Sequence, residues 1–447
     1  MQIYVLIFML LLVLFMAYKA MDKDLMSPAF LYTAPFCIAL LCGAVYADKW
    51  SLDLHFNTFM TILVGAFLFV LVCTIVHFSY GKRLLRISKR KDNQCIPINV
   101  ESWKIGLIII IQCISLYVVI GSMRASLAKY GISGNLALIM YYFRSYSLFS
   151  EYSVGISGLA INLRLFSIAS CYIWVYVFVN NRILKRKTKN EILLIISFGL
   201  GIANSVILGA RGEALQLIFA VVAVWFFIKR KYNNWKANIK FKQIIALMAG
   251  LLFMLAIFKS TGDLLGRSSV IASTTSAIDE VAKYLGAEIK NLDLFLNEKH
   301  SKSIVFGEQT FSVLLAWIDA RYGMGWNIDS ILTFRRINGI SLGNVYTLYA
   351  PLVYDFGYVG AMIMIVAMAV LSQCLYENVL IVKKRKAING KIILNSYMLF
   401  LLAFSFFGER VFSSILNFSF YKYILIWLFM IWFATKVHFK VKDINRK

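Results

Sequence analysis

Long apolar runs, nearly free of charge, alternate along this chain with short clusters of lysine and arginine. The runs are continuous, with none of the every-second-residue alternation of barrel strands. Each is long enough, or nearly so, for a helix to cross a bilayer, and only helices or closed barrels satisfy their backbone in hydrocarbon. The pattern therefore predicts transmembrane helices over Ile3 to Tyr18, Pro28 to Ala47, Phe56 to Tyr80, Ile105 to Met123, Ile156 to Val179 and Ile192 to Ala210. Further helices are predicted over Ala214 to Ile228, Ile244 to Phe258, Phe356 to Tyr376, Ile392 to Phe407 and Phe418 to Thr435. The expected fold class is all-α: one polytopic membrane domain of about eleven spanning helices.

The polar intervals orient this array. Lys82, Arg83, Arg86, Lys89, Arg90 and Lys91 follow the third run, and Arg182, Lys185, Arg186, Lys187 and Lys189 follow the fifth. Lys229, Arg230, Lys231, Lys236, Lys240 and Lys242 follow the seventh, Lys383 to Lys386 the ninth, and Lys436, Lys440, Lys442, Arg446 and Lys447 the last. All five clusters fall on one side of the helix count, which is the positive-inside pattern. The N-terminus is expected outside and the C-terminus in the cytoplasm. Residues 259 to 355 hold no run long enough to span, and parity places this large loop outside. Within it, Ile278, Val281, Tyr284, Leu285, Ile289, Leu292 and Leu296 recur at helical spacing. An amphipathic helix over Ala277 to Leu296 is expected to lie along the membrane surface and to wall off a cavity. The segment Leu136 to Phe149 suits an interfacial or re-entrant helix.

Composition sharpens this reading. The chain has 447 residues, 60% hydrophobic and only 15% charged, against about a quarter charged in soluble domains. The net charge of +25 would suggest nucleic acid on a soluble protein. Its confinement to loops between apolar runs assigns it to membrane orientation instead. No secretory cleavage site follows the first run, so it reads as a retained helix. Six of the seven cysteines fall in spanning runs, and the four histidines form no metal-ligand pair. No glycine-rich phosphate loop is present. Neither a metal nor a cofactor is expected.

What remains is arginine on the outer side, where topology does not call for it. Arg124, Arg144, Arg211, Arg267, Arg321, Arg335, Arg336 and Arg410 map to outer loops or helix ends, and Arg164 lies within the fifth helix near its outer third. Charge near the membrane is expensive and is usually paired or functional. The planar guanidinium fork matches phosphate oxygens. Two stretches are sharper. Gly209-Ala210-Arg211-Gly212-Glu213 joins two helices and sets a guanidinium beside a carboxylate, either as a site or as a structural ion pair. Asn344-Val345-Tyr346-Thr347, Pro351 and Asp355-Phe356-Gly357-Tyr358-Val359-Gly360 lead the outer loop back into the ninth helix. Asn344 and Tyr346 suit sugar hydroxyls, and Asp355 suits proton acceptance from an attacking hydroxyl. The alternative there is an aromatic interface belt with an N-cap at Asp355.

These two stretches, together with the layout of many helices, basic inner loops and one large outer loop, resemble the Wzy-type oligosaccharide repeat unit polymerases of O-antigen and capsule synthesis. The resemblance implies a GT-C-like, metal-independent glycosyltransferase in the bacterial inner membrane. It implies a donor glycan on undecaprenyl diphosphate, an acceptor repeat unit on the same lipid, and pathway partners such as a flippase and a chain-length regulator. It casts Arg211, Glu213, Arg321 and Asp355 as catalytic, and Arg164, Arg267, Arg335, Arg336, Asn344, Tyr346 and Arg410 as substrate-binding. Arg211, Arg321, Arg335, Arg336, Tyr346 and Asp355 are expected to converge in one cavity. The competing readings are an O-antigen ligase, with the same donor, and a flippase or transporter. A transporter would instead show short loops and a polar cavity at mid-membrane.

Overall fold

A computed structural model describes residues 2–81, 95–149, 154–185, 190–233, 277–300, 303–326, 328, 332–379 and 387–437. In chain order the helices are α1 (Gln2–Ala20), α2 (Pro28–Val45), α3 (Phe56–Val76, continued by a π turn, His77–Gly81), α4 (Ser102–Ala128) and α5 (Leu136–Phe149). Next come α6 (Gly158–Ile183), α7 (Glu191–Val206), α8 (Gly212–Tyr232), α9 (Ala277–Asn297) and α10 (Ser312–Tyr322). A hairpin of β1 (Arg335–Ile337) and β2 (Ile340–Gly343) precedes α11 (Tyr349–Val379), α12 (Gly390–Ala403), a 3-10 turn (Phe404–Phe406), α13 (Val411–Ile415) and α14 (Phe418–Lys436).

The protein is an all-α, multi-pass membrane protein. Among the described residues, eight helices are long and apolar enough to cross a bilayer: α1, α2, α3 with its π turn, α4, α6, α8, α11 and α14. Two shorter apolar helices, Glu191–Val206 and Gly390–Phe406, stand at the sixth and tenth expected positions. The expected helix over Ile244 to Phe258 lies outside the described residues. Several helices leave apolar stripes uncovered. On α1, Tyr4, Phe8, Leu11 and Phe15 are exposed at helical spacing, and on α14 Leu425, Leu428, Phe429 and Trp432 are. Such stripes on a water-soluble protein would aggregate, whereas they suit helices packed against hydrocarbon.

Local chemistry sets several helix starts. Ser27 caps α2 by accepting the Phe30 N–H, with Pro28 next in line. Ser157 caps α6 in the same way through the Ala160 N–H.

The chain forms two compact units. The first comprises Met1–Asp92, Lys236–Lys383 and Asn395–Phe420, and the second Asn93–Trp235, Lys384–Leu394 and Tyr421–Lys447. In the first, α11 packs along α3, α1 lies against α2 and α3, and α9 crosses α2. Its interior is aromatic. Tyr32 stacks on Phe69 at 4.1 Å between centroids, and its hydroxyl meets that of Tyr349 at 2.7 Å. In the second unit α6 is the central helix, buried on nearly every side, with α4, α7 and α8 around it. The Trp427 indole of α14 donates to the Ala169 carbonyl of α6 at 3.2 Å.

Three features depart from the hydropathy reading. First, α11 begins at Tyr349, seven residues before Phe356, and it breaks at Gly357 with φ 65° and ψ −179°. That conformation is open essentially to glycine alone. The residues before the break, Tyr349 to Leu352, are buried, so an inserted half-helix precedes the spanning one. Second, the outer loop contains a β-hairpin, which pairs Arg336 with Ser341 and Ile337 with Ile340. Third, the amphipathic helix α9 forms within a residue of its expected bounds, and polar positions on it are buried along with the apolar ones. It is set into the first unit, with Glu288, Asn291 and Asp293 all 0% exposed. Two glycines permit this. A β-carbon on Gly286 would lie 2.9 Å from the Gly43 backbone nitrogen of α2. Asp293 then accepts the His55 N–H at 2.9 Å, the Lys290 ammonium donates to the Ser51 carbonyl at 2.7 Å, and Tyr46 donates to Asp279 at 3.0 Å. Tyr46 is pushed up to about 12 by burial first and by Asp279 second.

Candidate functional site

In the second unit the arginines gather about one turn. Between α7 and α8 the chain reverses at Gly209, whose φ of 72° is left-handed. A β-carbon there would lie 3.0 Å from Cβ of Arg144, so α5 rests on the turn. Arg211 follows as the residue heading α8, and Glu213 occupies the first helical turn, where the dipole favours an acid. From α6 the Arg164 side chain reaches the same turn. Its Nε donates to the Asn204 carbonyl at 2.9 Å and its Nη2 to the Ser205 carbonyl at 3.2 Å. Both Nη atoms donate to the Glu213 carboxylate. Three guanidinium-bearing residues from three elements thus meet around the small-Arg-Gly-acid turn.

The pairing within it differs from the expected one. The sequence sets Glu213 beside Arg211, whereas the close ion pair joins Glu213 to Arg164. Arg164 and Glu213 are 49 positions apart and on different helices, and no local pattern links them. A buried polar seam supports the turn from below. Asn204 accepts from the Ser115 hydroxyl at 2.7 Å and donates to the Gln112 carbonyl at 3.2 Å. The Gln112 side-chain oxygen accepts from Ser197 at 2.8 Å. Each bond is made between helices in a dry interior, where an unmade one is costly.

The first unit holds the other candidate residues. The Tyr346 ring is buried, its hydroxyl donating to the Thr333 carbonyl at 2.9 Å and accepting from Arg335 Nε at 2.9 Å. The remaining guanidinium nitrogens of Arg335 form a fork onto Glu298 at the end of α9. This pair raises the Arg335 pKa, chiefly through the hydrogen bonds to Glu298, and the same bonds hold Glu298 below the usual carboxylate value. Phe295 stacks on His300 at 3.9 Å and meets the rings of Tyr346 and Tyr354. Next to Tyr354, Asp355 accepts the Gln309 and Thr310 N–H groups, one on each oxygen, at 3.0 and 2.7 Å. Asp355 thereby ties the loop at 307–310 to the half-helix. Thr347 accepts the Tyr349 N–H on its hydroxyl at 3.2 Å, at the start of α11.

The remaining described candidates belong to the same unit, on the hairpin, loops and helix ends. Arg336 is exposed on the hairpin, Arg321 is exposed in the last turn of α10, and Asn344 is half-buried. Arg410 is exposed ahead of α13, beside Glu409, whose carboxylate accepts the Phe412 and Ser413 N–H groups at 2.7 and 2.9 Å. Burial raises the Glu409 pKa. Arg267 lies outside the described residues. Of the six residues expected in one cavity, Arg211 belongs to the second unit and Arg321, Arg335, Arg336, Tyr346 and Asp355 to the first. Among the latter the structure joins Arg335 to Tyr346 directly and Tyr346 towards Asp355 through the aromatic group. The residues that sequence reasoning passed over are Glu298, Phe295 and His300. An acid and a histidine closing an amphipathic helix were the available signal. No family model, curated protein or solved structure matches this chain.

Proposed function

We propose that the chain is a glycosyltransferase of the outer leaflet that extends a lipid-diphosphate-linked glycan, in the manner of the repeat unit polymerases it resembles. The observation that carries this reading is the gathering of Arg144, Arg164 and Arg211 about the Gly209 turn of a membrane protein. Positive charge at the outer end of a helix bundle has no topological use, and guanidinium forks match phosphate oxygens. A lipid-linked diphosphate sits at headgroup depth, where such a turn is expected to lie. In the reaction an acceptor sugar hydroxyl attacks the anomeric carbon of the donor, the bond to the diphosphate oxygen breaks so that the lipid diphosphate leaves, and the hydroxyl proton passes to water. Arginines stabilise the charge that develops on the departing diphosphate. Arg164, already bonded to Glu213, positions the turn, and Arg211 is the residue assigned to phosphate contact. Asp355, with both oxygens on backbone N–H groups, is a positioning residue for the loop that it ties down.

The test is the surface glycan of a cell lacking the gene, resolved by chain length. Loss of a polymerase leaves a single repeat unit on the acceptor, and complementation restores the ladder. Absence of even the single unit would assign the chain to ligation instead. An unchanged ladder would remove the proposal.

A further inference from the structure

At the other end of the first unit, the end that the charge pattern assigns to the cytoplasm, three elements meet around His77. The histidine opens the π turn that ends α3. Such turns are rare and recur at functional positions. Its Nδ1 lies 2.6 Å from Oε1 of Glu377 on α11. Glu377 is 1% exposed, and the same oxygen accepts from Gln373 Nε2 at 2.7 Å. Gly81 makes room for the carboxylate, since a β-carbon there would come within 2.6 Å of Oε2. On its other side His77 Nε2 lies 3.5 Å from Oδ2 of Asp22 and makes no hydrogen bond, although it is buried. Asp22 is water-exposed, with 73% of its side chain accessible. The backbone holds it there in an unusual form: Asp22 and Lys23 have φ of 52° and 63° in succession. Tyr376 donates to Asp24 at 2.6 Å and so fixes this turn to α11. Among the described residues, Cys73 on α3 and Cys374 on α11 also face Glu377.

We infer that His77 is a proton-binding site loaded from the cytoplasmic side through Asp22. With Nδ1–H donating to Glu377, Nε2 is an unoccupied acceptor. A proton from the water on the Asp22 side binds Nε2, and the ring becomes an imidazolium between the carboxyl groups of Glu377 and Asp22. A buried histidine–glutamate pair carries a net negative charge without this proton and none with it, and a low-dielectric interior favours the neutral sum. The bound proton ties the turn after α1 to α3 and α11. The latter is the helix that carries the Gly357 break at its other end. This inference does not depend on the glycosyltransferase reading.

The experiment uses the full chain in lipid nanodiscs with 15N-labelled histidine, in a background carrying His55→Gln, His300→Gln and His438→Gln. Between pH 9 and 5 the His77 resonances should move from the Nδ1–H tautomer to the imidazolium. Asp22→Asn, an exposed change, should lower the midpoint. Thermal unfolding of the otherwise unmodified chain supplies a second measurement. The proton is bound by the folded protein, so the unfolding constant should rise as pH rises through the transition, by about tenfold per pH unit at its steepest. That step should vanish in His77→Gln. A ring that stays neutral throughout, or a midpoint indifferent to Asp22→Asn, would overturn the inference.

Discussion

The phenol of Tyr349 lies directly over Gly65, so that a β-carbon on the glycine would come within 2.6 Å of the ring carbon Cε1. The same hydroxyl meets Tyr32 at 2.7 Å. A glycine on α3 thus makes room for the half-helix that opens α11. Gly65→Ala should therefore push Tyr349 out of its seat, at a cost of about 1–3 kcal/mol for overpacking. Thermal unfolding followed by tryptophan fluorescence measures the loss. Tyr349→Phe in the Gly65→Ala background should recover part of it by removing the nearest atom.

A second expectation concerns Gly357. Its φ of 65° with ψ near 180° costs about 1–3 kcal/mol for any residue with a β-carbon. Gly357→Ala should destabilise the protein by that amount. If instead the helix straightens, the Asp355 bonds to Gln309 and Thr310 would be lost. Proteolysis within 303–310 would then become faster.

The Arg164–Glu213 pair makes a third. Removing one member leaves a largely buried charge without its counter-charge. A fully buried pair broken in this way costs 3–5 kcal/mol. Glu213 is about a third exposed, so about 1–3 kcal/mol is expected for Arg164→Met. The double substitution Arg164→Met with Glu213→Gln should cost less than the sum of the two singles, which a double-mutant cycle measures.

Arg211 gives the functional expectation. Arg211→Ala should lower glycan polymerisation by about 10²-fold or more, the usual cost of a lost transition-state donor, with the protein still inserted and abundant. Arg211→Lys should recover little, because an ammonium does not reproduce the fork. Arg321→Ala tests the first unit by the same chain-length ladder. A normal ladder in both would remove the diphosphate-binding role.

Glu288 contributes a pH dependence of its own, separate from that of His77. Both its oxygens are buried without a hydrogen bond, and burial raises its pKa well above the ordinary 4.5. The folded state therefore holds this proton more tightly than the unfolded chain does. Stability from Glu288 is greatest below pH 4.5 and falls as pH rises towards the folded value. Glu288→Gln should flatten that slope and stabilise the protein at pH 8, by on the order of 1–3 kcal/mol.

Among the described residues hydropathy alone located the apolar helices, because each apolar run answers to the bilayer and not to a distant neighbour. The same rule has no means of seeing the Gly357 break, since apolar residues continue on both sides of it. It has no means of seeing the buried polar face of α9 for a related reason. The charges of Glu288, Lys290 and Asp293 argue for a wet face, and only the Gly43–Gly286 approach and the acceptors at Ser51 and His55 explain their burial. Arg144, Arg164 and Arg211 were legible in the sequence as candidates, because the expected topology gives their charge no use. Their partners were not. Glu298 and Tyr346 meet Arg335 from 37 and 11 positions away, and Asn204 and Glu213 meet Arg164 across helices. Such pairings are made by packing, and no spacing announces them.

The seating of α9 against α2 also sets an order on biogenesis. Cys42 touches Ala282 and His55 touches Asp293 across separations of 240 and 238 positions. At 5–20 residues per second, the first three helices would wait roughly 10 to 50 s for the segment that completes their bundle. During that interval Gly43 offers the membrane a bare notch. A nascent chain halted before α9 would carry inserted but unlatched helices, which is the form that quality-control proteases of the membrane are placed to recognise.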